Sequence, residues 1–543
     1  MKPLQLTGTV LFSLFLAAGN LGAAADTPEP QPSVPARLTG IPNRNPIPNG
    51  SFEKCREGQP ADWRCGTAHC VSEPAKVYAG NSSCEVRISE GKTSAAIYTA
   101  PNVSIQRLAR YRFSVWAKGS GRIRLGYSFL YRLPGGKKQF QKMMQPNAVT
   151  LNEDWQEVSY LFKPTHPAAS AIKLWITLKG ESAVATLDAA ELTRSDEPSA
   201  SLTVIPSHPM GAVGEDVTLT IPVVQDGEPA RKGTLKILLQ TPDGKGTSFE
   251  LPIDTESRTT TYRIPADAIS QPGLYKALAV HKESDAAQWF SIDVLQKDEY
   301  AAFEKAGPSA VIAPLPAHVL ILGDSLTDFD RGHNWVDKMS AWLTAKYGSQ
   351  VTVRNGAVGG DVITRVAKRL TTPSGGYKAE RYDGLLTKKP THILIFLGHN
   401  DSKVTSASDY SEPVVSLADF EQAYREVITF LRQGTGAEIM LMSSTSSDYE
   451  KTSARAARAR GAGRRHNFFG VPEMMEQFNA TTRKIASDTG CDYIDVYGPT
   501  RDHPEKTALY DHSGVHLANK GHRVLALEVL KFLGQDNGQA VSQ

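Results

Sequence analysis

His318-Val319-Leu320-Ile321-Leu322-Gly323-Asp324-Ser325-Leu326-Thr327-Asp328 is the stretch on which the fold turns. A short apolar run bounded by a Gly-Asp-Ser turn reads as a buried strand. Downstream, runs of the same kind alternate with amphipathic segments. Helices are predicted over 335–347, 417–431, 474–487 and 520–533, and strands over 351–353, 392–397, 438–442 and 493–496. Strands alternating with helices predict an α/β three-layer domain whose parallel sheet is covered on both faces. Its crossovers should be right-handed. In such sheets reactive groups gather beyond the carboxyl ends of the strands.

Four blocks fall at those ends or on loops that reach them. They are Gly323-Asp324-Ser325-Leu326-Thr327-Asp328, Arg354-Asn355-Gly356-Ala357-Val358-Gly359-Gly360-Asp361, Phe396-Leu397-Gly398-His399-Asn400-Asp401, and Asp511-His512-Ser513-Gly514-Val515-His516-Leu517 with Gly521-His522 behind it. A serine hydroxyl is a weak nucleophile until a base takes its proton. By itself Gly-Asp-Ser serves as well for a helix cap. In this order and at these separations the four blocks resemble the SGNH (GDSL) hydrolase family over 316–533.

The resemblance implies a serine esterase that uses no cofactor. Ser325 takes the part of the nucleophile and His516 that of its base. The oxyanion hole falls to the backbone N–H groups of Ser325 and Gly360 and to the side-chain amide of Asn400. Such donors contribute about 2.7–4 kcal/mol each when fixed where the charge develops. The family usually carries Asp three residues before the catalytic His, and here that position is Ser513. The nearest carboxylate is Asp511. Either a longer loop lets Asp511 orient the imidazole, or the pair works as a Ser-His dyad steadied by a backbone carbonyl. His399 either lines the site or packs beside it. His512, His522, Asp324 and Asp401 read as structural. No metal-ligand cluster or phosphate loop is present, and Gly359-Gly360 is not part of a dinucleotide fingerprint.

Upstream the pattern changes. Region 45–197 consists of short segments alternating with period two, among them 95–98, 111–116, 123–127, 157–162 and 172–176, which predicts a β-sandwich. Asn49-Gly50-Ser51-Phe52-Glu53, Trp63, Val115-Trp116-Ala117-Lys118-Gly119, Asp154-Trp155-Gln156-Glu157-Val158 and Leu187-Asp188-Ala189-Ala190-Glu191-Leu192 resemble the jelly-roll carbohydrate-binding modules. Trp63, Tyr127, Tyr131 and Trp175 are aromatic rings able to stack on sugars, but each is assigned first to the core. Region 198–297 reads as a second, Ig-like β-sandwich without a disulfide. Residues 298–315, mixed in charge and then Pro-containing, read as a linker to the hydrolase domain at 316–536, with a tail at 537–543.

A chain of 543 residues exceeds the size at which one core stops growing, which suits this division. Lys2, the apolar run 10–18 and the small residues 22–25 predict an export signal over 1–25, followed by a Pro-rich linker over 26–44. No later run is long and apolar enough to span a bilayer, so no integral membrane segment is expected after signal removal. Cys55, Cys65, Cys70 and Cys84 crowd together, and in an exported chain they predict two disulfides with three pairings open. Cys491 stands apart in an apolar strand pattern and reads as a buried small hydrophobe. A formal net charge of +3 gives no reason to expect nucleic acid as a partner.

One local exception is the insertion 445–471, which carries Arg455, Arg458, Arg460, Arg464, Arg465 and His466. It reads either as a solvated basic helix or as a basic rim over the site that attracts acidic polysaccharide. The whole predicts an exported esterase removing O-acetyl groups from carbohydrate. Lipase, thioesterase or acyltransferase chemistry on the same fold remains open, as does a glycan-binding protein with an inactive hydrolase domain.

Overall fold

The computed structural model describes residues 45–535 apart from Cys65, 207–209, 231, 255–259 and 372–377. The expected export signal, the 26–44 linker, the 537–543 tail and the Cys65 candidate lie outside the described residues.

The first region builds two antiparallel sheets packed face to face. One runs Gln139–Met144, Arg122–Tyr131, Ala171–Lys179, Ser94–Thr99, Trp63–Arg64. The other runs Gln156–Phe162, Tyr111–Gly119, Val184–Arg194, Ser83–Arg87, Ala68–Val71. Alternation sets which side chains enter the core. On Ala171–Lys179, Ile172, Leu174, Ile176 and Leu178 are buried, whereas Lys173, Trp175 and Thr177 face away. Trp63 and Tyr127 are core residues, and Tyr131 packs at the core margin. Assigning Trp175 to the core was wrong, because it shares the outward phase of Lys173. It stacks instead on Tyr98, ring centroids 4.3 Å apart. Cys55 and Cys70 form a disulfide, and Cys84 is buried in its strand.

The second region contains the five-stranded sheet Met210–Ala212, Ala287–Leu295, Gly273–His281, Lys232–Gln240, Gly246–Asp254, with two three-stranded sheets beside it. Met210, Ala212 and Leu295 enter the core of the third region rather than their own. Asp293 follows them. It lies 3.0 Å from Lys338 Nζ and accepts from Arg523 Nε at 2.9 Å and Asn519 Nδ2 at 2.6 Å. Burial opposes its charge, and Lys338, Arg523 and Asn519 outweigh that, holding the carboxyl below its usual range.

The segment 298–315 is not the linker expected from its charge. It holds helix α1 (Lys297–Ser309), which buries Tyr300, Phe303, Ala306 and Gly307. These positions recur every three or four residues, the spacing of one helix face, and mixed charges between them obscured it.

In the third region, strands β1 (Ala317–Gly323), β2 (Val351–Asn355), β3 (His392–Phe396), β4 (Glu438–Met442) and β5 (Asp492–Ile494) form a parallel sheet ordered β2-β1-β3-β4-β5. Helix α2 (Ser325–Asp328) is a single turn after β1, and α3 (Trp335–Tyr347) follows. The longer helices that follow are α4 (Ile363–Thr371), α5 (Leu417–Thr435), α6 (Tyr449–Gly461), α7 (Pro472–Thr489) and α8 (Asn519–Leu533). Helices α1, α3 and α8 cover one face, through Phe303, Trp335, Met339 and Leu525. Helices α4, α5 and α7 cover the other, through Val366, Phe420, Val427 and Phe478. This is the α/β three-layer arrangement expected of 316–536.

Candidate active site

Ser325 opens α2 immediately beyond β1. Asp324 caps the turn, its carboxylate accepting from Leu326 N–H at 2.9 Å. The neighbouring strands bring the second and third blocks to the same edge. From the β2 side, Gly356 N–H donates to Ile321 O at 2.8 Å and Val358 N–H to Gly323 O at 2.9 Å. Gly359 N–H then donates to Asp328 Oδ2 at 2.8 Å, tying the loop to α2. Gly360 follows at φ +83°, a conformation that suits glycine. From the β3 side, Asn400 Nδ2 donates to Asp324 Oδ2 at 3.0 Å, and Lys403 Nζ donates to Asn400 Oδ1 at 3.1 Å. With its oxygen held by Lys403, the amide keeps its nitrogen toward Asp324, the residue before Ser325.

The last block closes the site. His516 Nε2 lies 3.1 Å from Ser325 Oγ. The strands of the sheet thus bring Ser325, Asn400 and the Gly360 loop together, and the loop before α8 adds His516. Asp511 is near but makes no side-chain contact with the imidazole. Ser513 occupies the gap, its Oγ 3.4 Å from His516 Nδ1 and hydrogen-bonded to the Asp511 carboxylate. Ser513 Oγ also accepts from the N–H groups of Val515 and His516, each at 3.1 Å. A hydroxyl carries one proton. If that proton goes to Asp511, an N–H on Nδ1 faces only the oxygen side of Ser513, where at 3.4 Å it shares lone pairs already engaged by the Val515 and His516 N–H groups. Nε2 is then the unprotonated nitrogen facing Ser325. Sequence reasoning flagged Ser513 only as a missing carboxylate; that a side chain of the right length could bridge to Asp511 needs the turn geometry.

Burial pushes the His516 imidazole below its usual value, and the Asp511 charge pulls it back up. Asp324 is raised to about 7 by burial, against the Leu326 and Asn400 hydrogen bonds. Asp401 is likewise raised to about 7 by burial, and its Oδ1 accepts from Ile363 N–H at 2.8 Å. Asp324 fixes its turn, whereas Asp401 ties its loop to the start of α4, both structural roles as expected. His399 is buried and pushed down to about 3, chiefly by burial, so it is neutral. It stacks on Phe469 rather than reaching Ser325. His522 is buried and accepts from Trp335 N–H at 3.3 Å. Phe329, which no motif singled out, sits over His516 with ring centroids 4.9 Å apart. Cys491 is half-buried, not fully buried, where α5 meets β5, and Arg432 donates to its sulfur at 3.3 Å.

A cleft of about 600 Å³ opens beside His516, lined also by Ser513, Arg455, Arg465, His466 and Phe469. The insertion 445–471 builds its wall. Its strand Asn467–Phe468 pairs with Val404–Thr405, and α6 carries Arg455. The same insertion braces the catalytic loop, since Asp448 N–H donates to Gly514 O at 2.9 Å.

These features place a serine–histidine pair at the carboxyl edge of a parallel α/β sheet. Residues 321–524 match the model of the GDSL-like lipase/acylhydrolase family, and the third region is a domain of that family. Residues 44–185 match a carbohydrate binding domain. A comparison with curated proteins finds no match. Among solved structures, a lipase/acylhydrolase from Enterococcus faecalis is 17% identical, with 40% of this chain and 95% of that chain covered at a TM-score of 0.31. A catalytic mutant of an acetylxylan esterase from Geobacillus stearothermophilus is 20% identical, covering 40% and 94% at a TM-score of 0.30. An alpha/beta hydrolase from the metagenome of Lake Arreo is 20% identical, covering 40% and 95% at a TM-score of 0.30. The chain thus joins an esterase/acylhydrolase domain to a carbohydrate-binding domain.

Proposed function

We propose that this protein is an exported esterase that removes O-acetyl groups from a carbohydrate through an acyl-enzyme on Ser325. The observation that carries the reading is the 3.1 Å separation of His516 Nε2 and Ser325 Oγ. It is the distance a general base needs to the proton it removes. Ser325 Oγ attacks the acetyl carbonyl as its proton passes to His516 Nε2. The tetrahedral oxyanion is received by the N–H groups of Ser325 and Gly360, which have no acceptor among the described residues, and by the Asn400 amide. The C–O bond to the sugar breaks, and the sugar oxygen takes the proton from His516. Water, deprotonated by His516, then releases acetate and restores Ser325. Ser513 holds the ring, and Asp511 acts through Ser513, offsetting the imidazolium charge.

The carbohydrate part of the reading is supported by the N-terminal domain. Trp175 and Tyr98 form an outward-facing stacked pair flanked by Lys142 and Lys173. With Tyr98 on one face of the indole and Lys142 on the other, the exposed edge of the pair and the two ammonium groups are what a sugar could meet. Export is supported by the character of 1–25; the domain limits 45–197 and 198–297 are proposed with it, and the hydrolase domain expected over 316–536 is proposed to take in α1 as well.

Acetate release from a panel of acetylated polysaccharides by wild type and Ser325→Ala tests the reading. Wild type should release acetate from at least one of them and Ser325→Ala from none. A serine-reactive phosphonate should add to Ser325. Release by Ser325→Ala at the wild-type rate would overturn the proposal.

A further inference from the structure

The cleft beside His516 has a charge pattern that esterase chemistry does not require. Its lining includes Arg455, Arg465 and His466, and no carboxylate. Of the arginines in the insertion, Arg460 is neutralised, lying 3.3 Å from Asp409 and over the Tyr410 ring. Arg455 and Arg465 have no carboxylate partner among the described residues. Arg455 is half-buried and Arg465 exposed. Lys403 adds a further positive group behind them, over the Phe469 ring at 5.3 Å. A half-buried guanidinium such as Arg455 left without counter-charge is costly to keep, and a planar fork of donors suits carboxylate and other oxyanions. His516 lines the same cleft. His516 Nε2 in turn lies 3.1 Å from Ser325 Oγ, so a sugar whose acetyl carbonyl sits at Ser325 borders the cleft that holds Arg455 and Arg465.

We propose that this cleft is a subsite for an anionic sugar, so that the substrate is an acetylated acidic polysaccharide whose carboxylate or sulfate ester pairs with Arg455 and Arg465. The inference rests on the esterase reading and names its substrate class. Phe469 supplies an apolar wall for the ring face, and Thr405, Ser406 and Asn467 line the remainder with polar groups. The volume of about 600 Å³ falls in the usual range for small-ligand sites, about 300–1,000 Å³.

The test measures acetate release by the full chain from acetylated xylan, acetylated polygalacturonate and an acetylated sulfated galactan, at low and high sodium chloride. Wild type should show a KM about tenfold lower on one anionic chain than on xylan, the carboxylated and sulfated arms telling which anion it prefers. That advantage should shrink as salt rises. In R455Q/R465Q it should fall to within about threefold, the loss of two partly exposed ion pairs. Should the double variant fail to fold, the exposed Arg465→Gln alone should raise KM on the anionic chain and reduce its salt dependence. Release from all three chains with equal KM, or a preference that survives both substitutions, overturns the subsite and leaves the esterase standing. Release from none overturns both.

Discussion

Ser513 Oγ stands 3.4 Å from His516 Nδ1 and is hydrogen-bonded on its other side to Asp511. The two explanations open from sequence, a direct carboxylate and a dyad held by a backbone carbonyl, are joined by a third arrangement in which the hydroxyl passes the influence of the charge. Removing Ser513 breaks the link, and removing Asp511 leaves the hydroxyl unoriented. Ser513→Ala and Asp511→Ala should therefore each lower kcat by roughly 10²-fold, within the range of positioned acid–base groups. The double variant should be little worse than either, because the residues act as a unit. Wild-type kcat in Asp511→Ala would remove Asp511 from the mechanism.

The pH profile isolates the charge. Burial lowers the His516 pKa and Asp511 raises it. Asp511→Asn can still accept from Ser513, but it no longer favours the imidazolium. The acid limb of kcat/KM, which reports the free enzyme, should move to lower pH. Ser513→Asp puts a carboxylate against Nδ1 and should move the limb to higher pH. A limb unchanged in both variants would mean that neither charge is felt at the ring.

Asn400 is held on two sides, by Asp324 at 3.0 Å and Lys403 at 3.1 Å. Its amide is thus oriented before any substrate arrives, which is what makes an oxyanion donor effective. Asn400→Ala should lower kcat on 4-nitrophenyl acetate by about 10²–10³-fold with little change in KM. A loss of less than threefold would assign Asn400 to holding Asp324 alone.

Much of this arrangement was legible because it depends on chain-local patterns. Helix α3 and strand β4 begin and end where apolar periodicity places them, and the carboxyl-edge rule located Ser325, the Gly360 loop and Asn400. What stayed hidden depends on the side chains that a fold brings together. The Ser513 bridge needs the turn that also links Asp511 N–H to His516 O. Helix α1 was obscured because its five charged residues outnumber its four buried positions. Trp175 was misplaced because its aromatic character was weighed above its phase, which it shares with Lys173, and the register of the strand then sets Tyr98 beside it.

That register leads to a prediction about binding. Trp175 Nε1 donates to Ser128 Oγ at 2.6 Å, fixing the indole plane beside Tyr98. The edge of a rigid, outward aromatic pair makes a contact point that loses little freedom on binding. Trp175→Ala should weaken retention of the chain on insoluble polysaccharide by roughly fivefold to tenfold. Trp63→Ala, which empties a core position, should instead lower the unfolding midpoint. Retention unchanged in Trp175→Ala would move the sugar contact elsewhere on the domain.

The final prediction concerns how the second region is joined to the hydrolase domain. Asp293 comes from the second region, and its partners Lys338, Asn519 and Arg523 come from α3 and α8. Lys338 is itself buried. Asp293→Ala leaves that ammonium in the interior without its counter-charge, a change that costs about 3–5 kcal/mol where a buried pair loses one member. Asn519 lies three residues after His516, so the loosened helix end should also disturb the catalytic loop. Urea unfolding should show a lower midpoint, and kcat should fall below it in urea too weak to unfold the wild type. Replacing Lys338 with Met in the same chain removes the orphaned charge and should recover part of the midpoint. An unchanged midpoint in Asp293→Ala would mean that apolar contacts of Met210 and Leu295 hold the two regions together without the ion cluster.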